Sequence, residues 1–306
     1  MSSSLSKALQ ANAIVALAKA GGAFLTGSAS LAAEAVHSAA DTGNQLLLLW
    51  GRKASKRRPD TAHPLGYGRE SFFWALIVGL VMFGLGGVYS AAEGWHKLSH
   101  PEPIKHAGIA ITILIIGAIF ESLALASCLQ ELRALHPNQS LRYIVKETRN
   151  AELLVLLLED SAALLGLLMA ACSIGLAMLT GNPLWDAVGS LAIGVLLMGV
   201  ATILIIETKG LLIGQSASPE TRKAIHAILR LSPHVDHVYE CIASQNGVSV
   251  DLFLRVRLTC PQETPLSEVL NIVEAIEQEL YALPQVRKCF VEIDNKADDT
   301  NPNYSA

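Results

Sequence analysis

The stretch TGSASLAAEAVHSAADTGNQLLLLW, from Thr26 to Trp50, decides how this chain folds. It is mostly apolar and long enough to cross a bilayer, yet it carries Glu34, His37 and Asp41. Ionisable side chains are costly at membrane depth and are tolerated mainly where they face a protein interior or a water-filled pathway. The stretch therefore predicts a membrane helix with a buried polar face.

His37 and Asp41 are four residues apart, so on a helix they share one face about one turn apart. An imidazole and a carboxylate on one face can both bind a divalent transition metal. The same pair can also hold helices together through hydrogen bonds, without any metal. This stretch alone leaves both interpretations open.

The composition of the whole chain excludes an ordinary soluble protein. Of its 306 residues, 51% are hydrophobic and 16% are charged, whereas soluble domains are about a quarter charged. The formal net charge of −4 gives no basic surface for nucleic acid. The five cysteines show neither framework nor CxxC spacing, which argues against disulfides and thiolate zinc sites.

Apolar runs of about 18 residues or more suggest transmembrane helices. We expect six spans, over residues 9–25, 30–50, 72–92, 108–129, 151–179 and 185–206. Lys and Arg concentrate after spans two, four and six, so the positive-inside rule places both termini in the cytoplasm. We read no removable signal peptide at the N-terminus.

From about Gly214 the chain has the composition of a soluble domain. Helical periodicity and alternating apolar residues predict the order αββαβ, with a hairpin turn at Gln245-Asn246-Gly247. This order fits a small two-layer α+β domain. We therefore expect a transmembrane domain over 1–210, a cytoplasmic domain over 211–295 and a disordered tail over 296–306.

Three motifs together resemble one family: AEAVHSAADTGNQ in the second span, HPLGYGR after it and LLIGQS after the sixth span. With these motifs and this architecture, the chain resembles the cation diffusion facilitator family from about residue 8 to 294. The resemblance implies a homodimeric exporter of divalent metal, usually zinc, driven by inward proton flow. It also implies a ferredoxin-like tail domain and no prosthetic group.

In that family, two residues four apart on the second span and two on the fifth form the transport site. The resemblance assigns His37 and Asp41 to the first pair and Asp160 to the second. Leu156 stands where the family has another ligand, usually histidine, and cannot bind metal. Glu159 is the candidate substitute, although it can instead face a neighbouring helix as a proton carrier.

Other polar residues have weaker assignments. Candidates for a proton pathway or for supporting the ligands are Asn12, Lys19, Glu34 and Glu121. Structural pairs such as Lys19 with Glu34, or Lys19 with Glu121, explain them equally well.

The family also has an auxiliary metal site made of an aspartate and two histidines. Asp60 and His63 match two of its positions, but Tyr67, a poor ligand when neutral, holds the third. In the tail domain, Tyr239 and Arg255 stand where zinc-binding members carry histidines. The resemblance therefore implies a weak or missing auxiliary site and no full two-metal zinc site in the tail.

The ligand set implies that protons and metal compete, because histidine binds metal only when neutral and carboxylates only when ionised. Alternating access to such a cage would exchange M²⁺ for H⁺ across the lipid bilayer. One imidazole with two or three carboxylates discriminates less against manganese, iron(II) or cobalt than the usual cage. The other hypotheses are a transport-inactive, metal-responsive partner subunit and, more distantly, an intramembrane hydrolase using Glu159 and Asp160. A bacterial inner membrane is the expected location, with a eukaryotic organelle membrane as the alternative.

Overall fold

The computed structural model describes residues 2–101, 103–104, 106–135, 139–140, 143, 149–261 and 263–294. Its chain divides into two compact units. The first unit contains the long helices, and the second contains residues 54–70 together with the chain from residue 210 onward. The tail expected over 296–306 lies outside the described residues, as does the side chain of Asn12.

The first unit is built from long helices: α1 (Ser2–Thr26), α2 (Ala29–Ser55), α3 (Glu70–Ser99), α4 (Ala107–Leu135), α5 (Ala151–Thr180) and α6 (Leu184–Leu212). By length and composition, α3, α4, α5 and α6 are each able to cross a membrane. Within α1, Ala13–Thr26 is a shorter apolar helix. The helix α2 is not one of these four apolar helices, because its polar face lowers its mean hydropathy.

The helices continue beyond the predicted apolar spans. The third span was expected to end at residue 92, but α3 continues to Ser99 because no proline interrupts the helix before Pro101. Within α3, residues Met82–Val88 form a π-helical stretch. The hydropathy of a sequence marks only the apolar part of a helix, so the polar turns at the helix ends were missed.

Glycines let α3 and α6 approach backbone to backbone. A Cβ atom at Gly94 would lie 2.6 Å from the backbone nitrogen of Leu191, and one at Gly194 would lie 2.5 Å from that of Ala91. The Ser190 hydroxyl also donates to the Ser90 carbonyl at 2.8 Å. Small residues at such contacts are typical of helix packing in membranes, where close approach replaces hydrophobic driving force.

A carboxylate from α6 caps the start of α2. Asp186 accepts hydrogen bonds from the Ser28 hydroxyl at 2.7 Å and from the backbone N–H groups of Ala29 at 2.5 Å and Ser30 at 3.2 Å. The first N–H groups of a helix have no intrahelical partner, and an anion there also interacts favourably with the helix dipole. Asp186 therefore fixes the end of the helix that carries His37 and Asp41.

The second unit contains α7 (Pro219–Leu231), β1 (Val235–Asn246), β2 (Ser249–Leu258), α8 (Leu266–Tyr281) and β3 (Val286–Ile293). The predicted order αββαβ is therefore confirmed. The sheet has the strand order β1-β2-β3, with β1 and β2 antiparallel and β2 and β3 parallel. Its core joins alternate residues of β2 to one face of each helix: Leu252, Leu254, Val256, Ile225, Leu229, Ile276 and Leu280.

The HPLGYGR motif belongs to this second unit and packs on its sheet. The carbonyl of Leu65 accepts a hydrogen bond from the Asn246 amide at 2.9 Å and another from Arg287. A Cβ atom at Gly68 would lie 2.6 Å from the Asn246 carbonyl oxygen, so only glycine fits there. The motif is therefore held against the β1–β2 hairpin and β3, with side chains of the sheet donating to its backbone.

The sheet face away from the two helices carries an apolar strip. The rings of Phe253 and Phe290 stack with centroids 5.1 Å apart and an interplanar angle of 8°. Ile242 is the cross-strand neighbour of Phe253. Phe290 is 46% exposed and Ile242 is 41% exposed, so this strip is available for burial against another surface.

The Asp186 cap yields a stability prediction. Replacing Asp186 with alanine leaves the buried N–H groups of Ala29 and Ser30 without acceptors, at about 1–3 kcal/mol for each donor. We expect Asp186→Ala to lower the thermal unfolding midpoint of the purified protein in detergent, and Asp186→Asn to lower it less. Glu207→Gln, on the same helix, is the control. Unfolding of Asp186→Ala at the wild-type temperature would show that the cap is not needed.

Candidate metal centre

Polar residues of α2 contact residues of α5 that follow one another at intervals of about two helical turns. The α5 partners are each seven residues apart and so share one helix face. From one end to the other, the pairs are Ser30 with Ser173 (3.0 Å), Glu34 with Gly166, Asn44 with Glu159 (2.8 Å) and Arg52 with Glu152 (2.7 Å). We call this contact the α2–α5 seam. Sequence reasoning missed it, although the heptad spacing on α5 was a usable signal.

His37 and Asp41 lie within the seam as a buried pair. The Nδ1 atom of His37 is 3.2 Å from Oδ1 of Asp41, and the His37 side chain is fully buried. Within the described part of the chain, neither ring nitrogen of His37 nor Oδ1 of Asp41 has a hydrogen-bond partner. Because buried polar atoms are normally satisfied, these atoms are free to act as ligands.

A narrow cavity opens beside this pair. Its polar lining comes from α2, α4 and α5: Ser38, Asp41, Gln45, Glu121, Glu159 and Asp160. The side chains of Asp41 and Glu159 face each other across this narrow cavity, which both of them line. Two carboxylates this close need either a shared proton or a cation between them. The cavity therefore suits protons and cations, and its acidic lining disfavours anions.

Glu159 faces this cavity. Its side chain is buried, its Oε1 accepts a hydrogen bond from the Asn44 amide, and its Oε2 has no partner among the described residues. Leu156 instead packs against an apolar cluster of α4 and α5 that contains Leu132 and Leu153. Leu156, at the position where the resemblance implies a ligand, is therefore a packing residue here. The side chain of Glu159 instead points toward α2.

The other candidates within the helices have distinct environments. Lys19 donates to Glu34 at 3.3 Å and to the Ser38 hydroxyl at 2.6 Å, so the pair with Glu34 is present. Glu121 lines the cavity from α4.

The candidate ligands are neighbours but do not enclose a common point. Among the described residues, no three His, Cys, Asp or Glu side chains are grouped closely enough to hold one ion. A bound ion would have to draw the imidazole of His37 and the carboxylates of α2 and α5 together.

The proposed auxiliary position is occupied by hydrogen bonds of its own loop. Oδ1 of Asp60 accepts from the backbone N–H groups of His63 at 2.7 Å and Ala62 at 3.0 Å, and Oδ2 accepts from the Tyr67 hydroxyl at 2.6 Å. The Tyr67 bond, with the backbone bonds, lowers the pKa of Asp60. The same bond raises the pKa of Tyr67, because it stabilises the protonated hydroxyl. Asp60 thus stabilises a turn through both oxygens.

In the tail domain, cationic and aromatic contacts stand where the family has zinc-binding histidines. The guanidinium group of Arg255 lies 5.9 Å from the centre of the Tyr239 ring and 3.6 Å from Asp294. Arg255 is also the cross-strand neighbour of Glu240 on β1 and Glu292 on β3. A fixed positive charge at this position opposes a second cation, which argues against metal binding there.

These observations define the class of protein: an α-helical, multi-pass membrane protein with a carboxylate-lined cavity between its helices. Residues 7–213 match the cation efflux transmembrane domain. The chain therefore belongs to the cation efflux family, whose members are transporters and not enzymes. Family membership thereby sets aside the hydrolase hypothesis.

Several characterised proteins share this sequence pattern. The chain is 38% identical over 226 residues to the proton-coupled zinc antiporter SLC30A9, mitochondrial, of Xenopus laevis, covering 73% of this chain and 40% of that protein. The human protein of the same name is 38% identical over 225 residues, with the same coverage. The cation-efflux pump FieF of Serratia proteamaculans (strain 568) is 26% identical over 258 residues, covering 84% of this chain and 80% of the pump. The chain spans 40% of the length of the two antiporters.

The auxiliary position yields a prediction about zinc binding. Tyr67→His would replace the hydroxyl that binds Asp60 with a third nitrogen or oxygen donor beside Asp60 and His63, which suits zinc. We expect this variant to bind about one more zinc ion per protomer than the wild type, measured by calorimetry on the purified protein. Tyr67→Phe, which also releases Asp60 but adds no donor, is the matched control. Equal zinc binding by the two variants would contradict the prediction.

Proposed function

We propose that this protein exports a divalent metal ion, chiefly zinc, in exchange for protons. The proposed ligands are His37, Asp41, Glu159 and Asp160. The supporting observation is the buried His37–Asp41 pair, whose unbonded atoms lie beside the two acids of α5. The names of the SLC30A9 relatives, proton-coupled zinc antiporters, support the choice of metal and of the coupling ion.

The exchange follows from the adjacent carboxyl groups of Asp41 and Glu159. Without metal, a shared proton can relieve the repulsion between them. A divalent ion supplies that positive charge instead, so metal binding releases a proton and protonation releases the metal. Protonation of His37 would act in the same direction, since an imidazolium cannot bind metal.

Alternating access requires the cavity to open to one side of the membrane at a time. We propose that all of α1–α6 cross the bilayer, with both termini in the cytoplasm, as the Lys and Arg distribution indicates. The polar face of α2 does not oppose this, because that face is buried against α5 and not exposed to lipid. We place the protein in a bacterial inner membrane. Fractionation of the source cell tests this against the mitochondrial location in the relatives' names.

Manganese, iron(II) or cobalt is the second candidate cargo. Leu156 supplies no donor, so the proposed cage has one imidazole and up to three carboxylates. Such oxygen-rich sites favour harder cations more than a cage with two histidines does. Competition between zinc and manganese in the transport assay decides between these metals. An inactive partner subunit would show no uptake of any metal.

The proposed function is tested by uptake of zinc into proteoliposomes under an outward proton gradient. We expect His37→Ala and Asp41→Ala each to reduce uptake by at least about a hundredfold, since a cage missing one ligand binds metal far more weakly. Glu152→Ala, which removes the Arg52 ion pair at the end of the seam, is the control and should retain most of the uptake. Wild-type uptake by either the His37 or the Asp41 variant would refute the proposed centre.

The same assay resolves the role of Glu159. If it is a ligand, Glu159→Gln and Asp160→Asn lose zinc affinity to a similar extent, and the pH dependence of uptake changes in both. Asn44→Ala should weaken zinc binding less, because it removes only the amide that orients Glu159. Unchanged zinc affinity in Glu159→Gln would restrict Glu159 to proton transfer.

We further propose that the protein is a homodimer and that the apolar strip of the tail sheet contributes to its interface. Ile242 and Phe290 are exposed, and the half-buried ring of Phe253 stacks on that of Phe290, so the three side chains form an apolar strip on one face of the sheet. Burying these rings against a second copy removes that exposure. We expect Phe290→Asp to shift the protein toward monomer in light scattering, whereas Leu231→Asp, at another exposed apolar position, should not. A dimer unchanged by Phe290→Asp would exclude this face.

A further inference from the structure

The ammonium group of Lys19 lies inside the helix bundle next to the candidate metal centre. Lys19 and Glu34 are both completely buried. The ammonium group donates to Glu34 at 3.3 Å and to the Ser38 hydroxyl at 2.6 Å. A buried lysine is normally neutralised or tightly paired, because an isolated charge is very costly in an apolar environment. The position of Lys19 therefore indicates that the carboxylates around it need a positive charge nearby.

Two glycines leave the room that this ion pair needs. A Cβ atom at Gly166 on α5 would lie 2.3 Å from Oε1 of Glu34, and one at Gly117 on α4 would lie 3.1 Å from Cε of Lys19. Alanine at Gly166 would therefore collide with the carboxylate. The pair sits in a pocket shaped by three helices around α1.

The groups around the ammonium resemble a cation site. Oε1 of Glu34 has no hydrogen-bond partner in the described portion of the chain, so one carboxylate oxygen is free. Ser38 and Glu121 also line the cavity that contains Asp41, Glu159 and Asp160. The pocket of Lys19 and the candidate metal centre are therefore adjacent and share a wall.

The position of the ammonium group can be explained by the balance of charge between the carboxyl groups and the cations beside them. The pocket and the cavity together hold five carboxyl groups, from Glu34, Asp41, Glu121, Glu159 and Asp160, and one ammonium group. One divalent ion and the ammonium together offset three negative charges. Without the ammonium, the same carboxylates could balance a second divalent ion, since closely spaced acids need protons or cations between them.

We propose that Glu34, Ser38 and Glu121 form a second cation subsite and that the side chain of Lys19 permanently occupies it. Lys19 is thus a tethered cation that limits the cavity to one divalent metal ion at a time. The inference deepens the proposed function and rests on it, because it assumes that the adjacent centre binds metal. The ligand class of the emptied subsite is a small cation, either a divalent metal or an alkylammonium ion.

The test counts zinc ions bound to the purified full-length protein in detergent, by equilibrium dialysis and elemental analysis. We expect about one ion per protomer in the wild type and about two in Lys19→Ser, since serine leaves the oxygen donors uncovered. Lys19→Ser combined with Glu34→Gln should return to about one. Lys97→Ser, which removes another lysine of the same helical unit, should stay at one. A folded Lys19→Ser protein that binds one zinc ion overturns the proposal.

The proposed function fails separately. Asp41→Asn should lower the count from about one to zero in the wild-type background and from about two to one in the Lys19→Ser background. If Asp41→Asn leaves zinc bound in the wild-type background, the centre at His37 and Asp41 is wrong. If it abolishes that zinc while Lys19→Ser adds none, only the second subsite is wrong.

Folding is controlled with a second variant and with added cations. Lys19→His keeps a side chain in the pocket that can itself bind zinc, and it should also bind about two ions. Methylammonium chloride should raise the unfolding temperature of Lys19→Ser more than that of the wild type, because it can replace the missing ammonium group. If neither variant folds with zinc or methylammonium present, the proposal is overturned, since an open cation subsite would be filled and stabilised by them.

Discussion

The burial of ionisable side chains among apolar helices is the constraint on which this structure depends. A charge without a partner is very costly in a medium of low polarity. Each polar group of α2 therefore needs a hydrogen-bonding or charged partner, or enough space beside it. Along the α2–α5 seam, hydroxyl meets hydroxyl, carboxylate meets glycine, amide meets carboxylate and guanidinium meets carboxylate. The seam also fixes how α2 is rotated and which residues face the cavity.

The buried polar atoms left without hydrogen-bond partners include those of the proposed metal centre. As far as the structure describes the chain, the buried atoms along the seam that lack hydrogen-bond partners are both nitrogens of His37 and one oxygen each of Glu34, Asp41, Asn44 and Glu159. Asp60 presents the opposite case, because both of its oxygens accept hydrogen bonds from its own loop. Two aspartates matched to family metal positions thus differ in whether their electron pairs are free to bind an ion.

This chain departs from the family pattern on α5, at Leu156 and Glu159. Leu156 has joined the apolar cluster with α4, and the acid three residues later faces α2. A helix turns by about 100° per residue, so Glu159 approaches the cavity from a different side than a residue at position 156. The proposed cage would have more oxygen ligands and fewer nitrogen ligands than a cage with two histidines, which favours a broader choice of metals. In the proposed centre, the ammonium group of Lys19, paired with Glu34, would offset part of this negative charge.

The sequence by itself determined the elements that depend on local pattern. Apolar runs located the long helices, the alternation of Val250, Leu252 and Leu254 located β2, and the spacing of His37 and Asp41 placed them on one helix face. The domain order αββαβ followed from the same periodicities. These features arise from neighbours along the chain, so a reading of the sequence reaches them.

Only the tertiary structure decided which partner each buried charge has. Lys19 could have paired with Glu34 or Glu121, and Glu159 could have faced α2 or another helix. Both outcomes depend on helix rotations and on the close contacts that Gly166 and Gly117 permit, which no sequence periodicity specifies. The role of Asp60 likewise depended on the position of the Tyr67 hydroxyl. The identity of the ionisable groups is written in the sequence, but their pairing is set by packing, because a buried charge is stabilised only by atoms within a few ångströms of it.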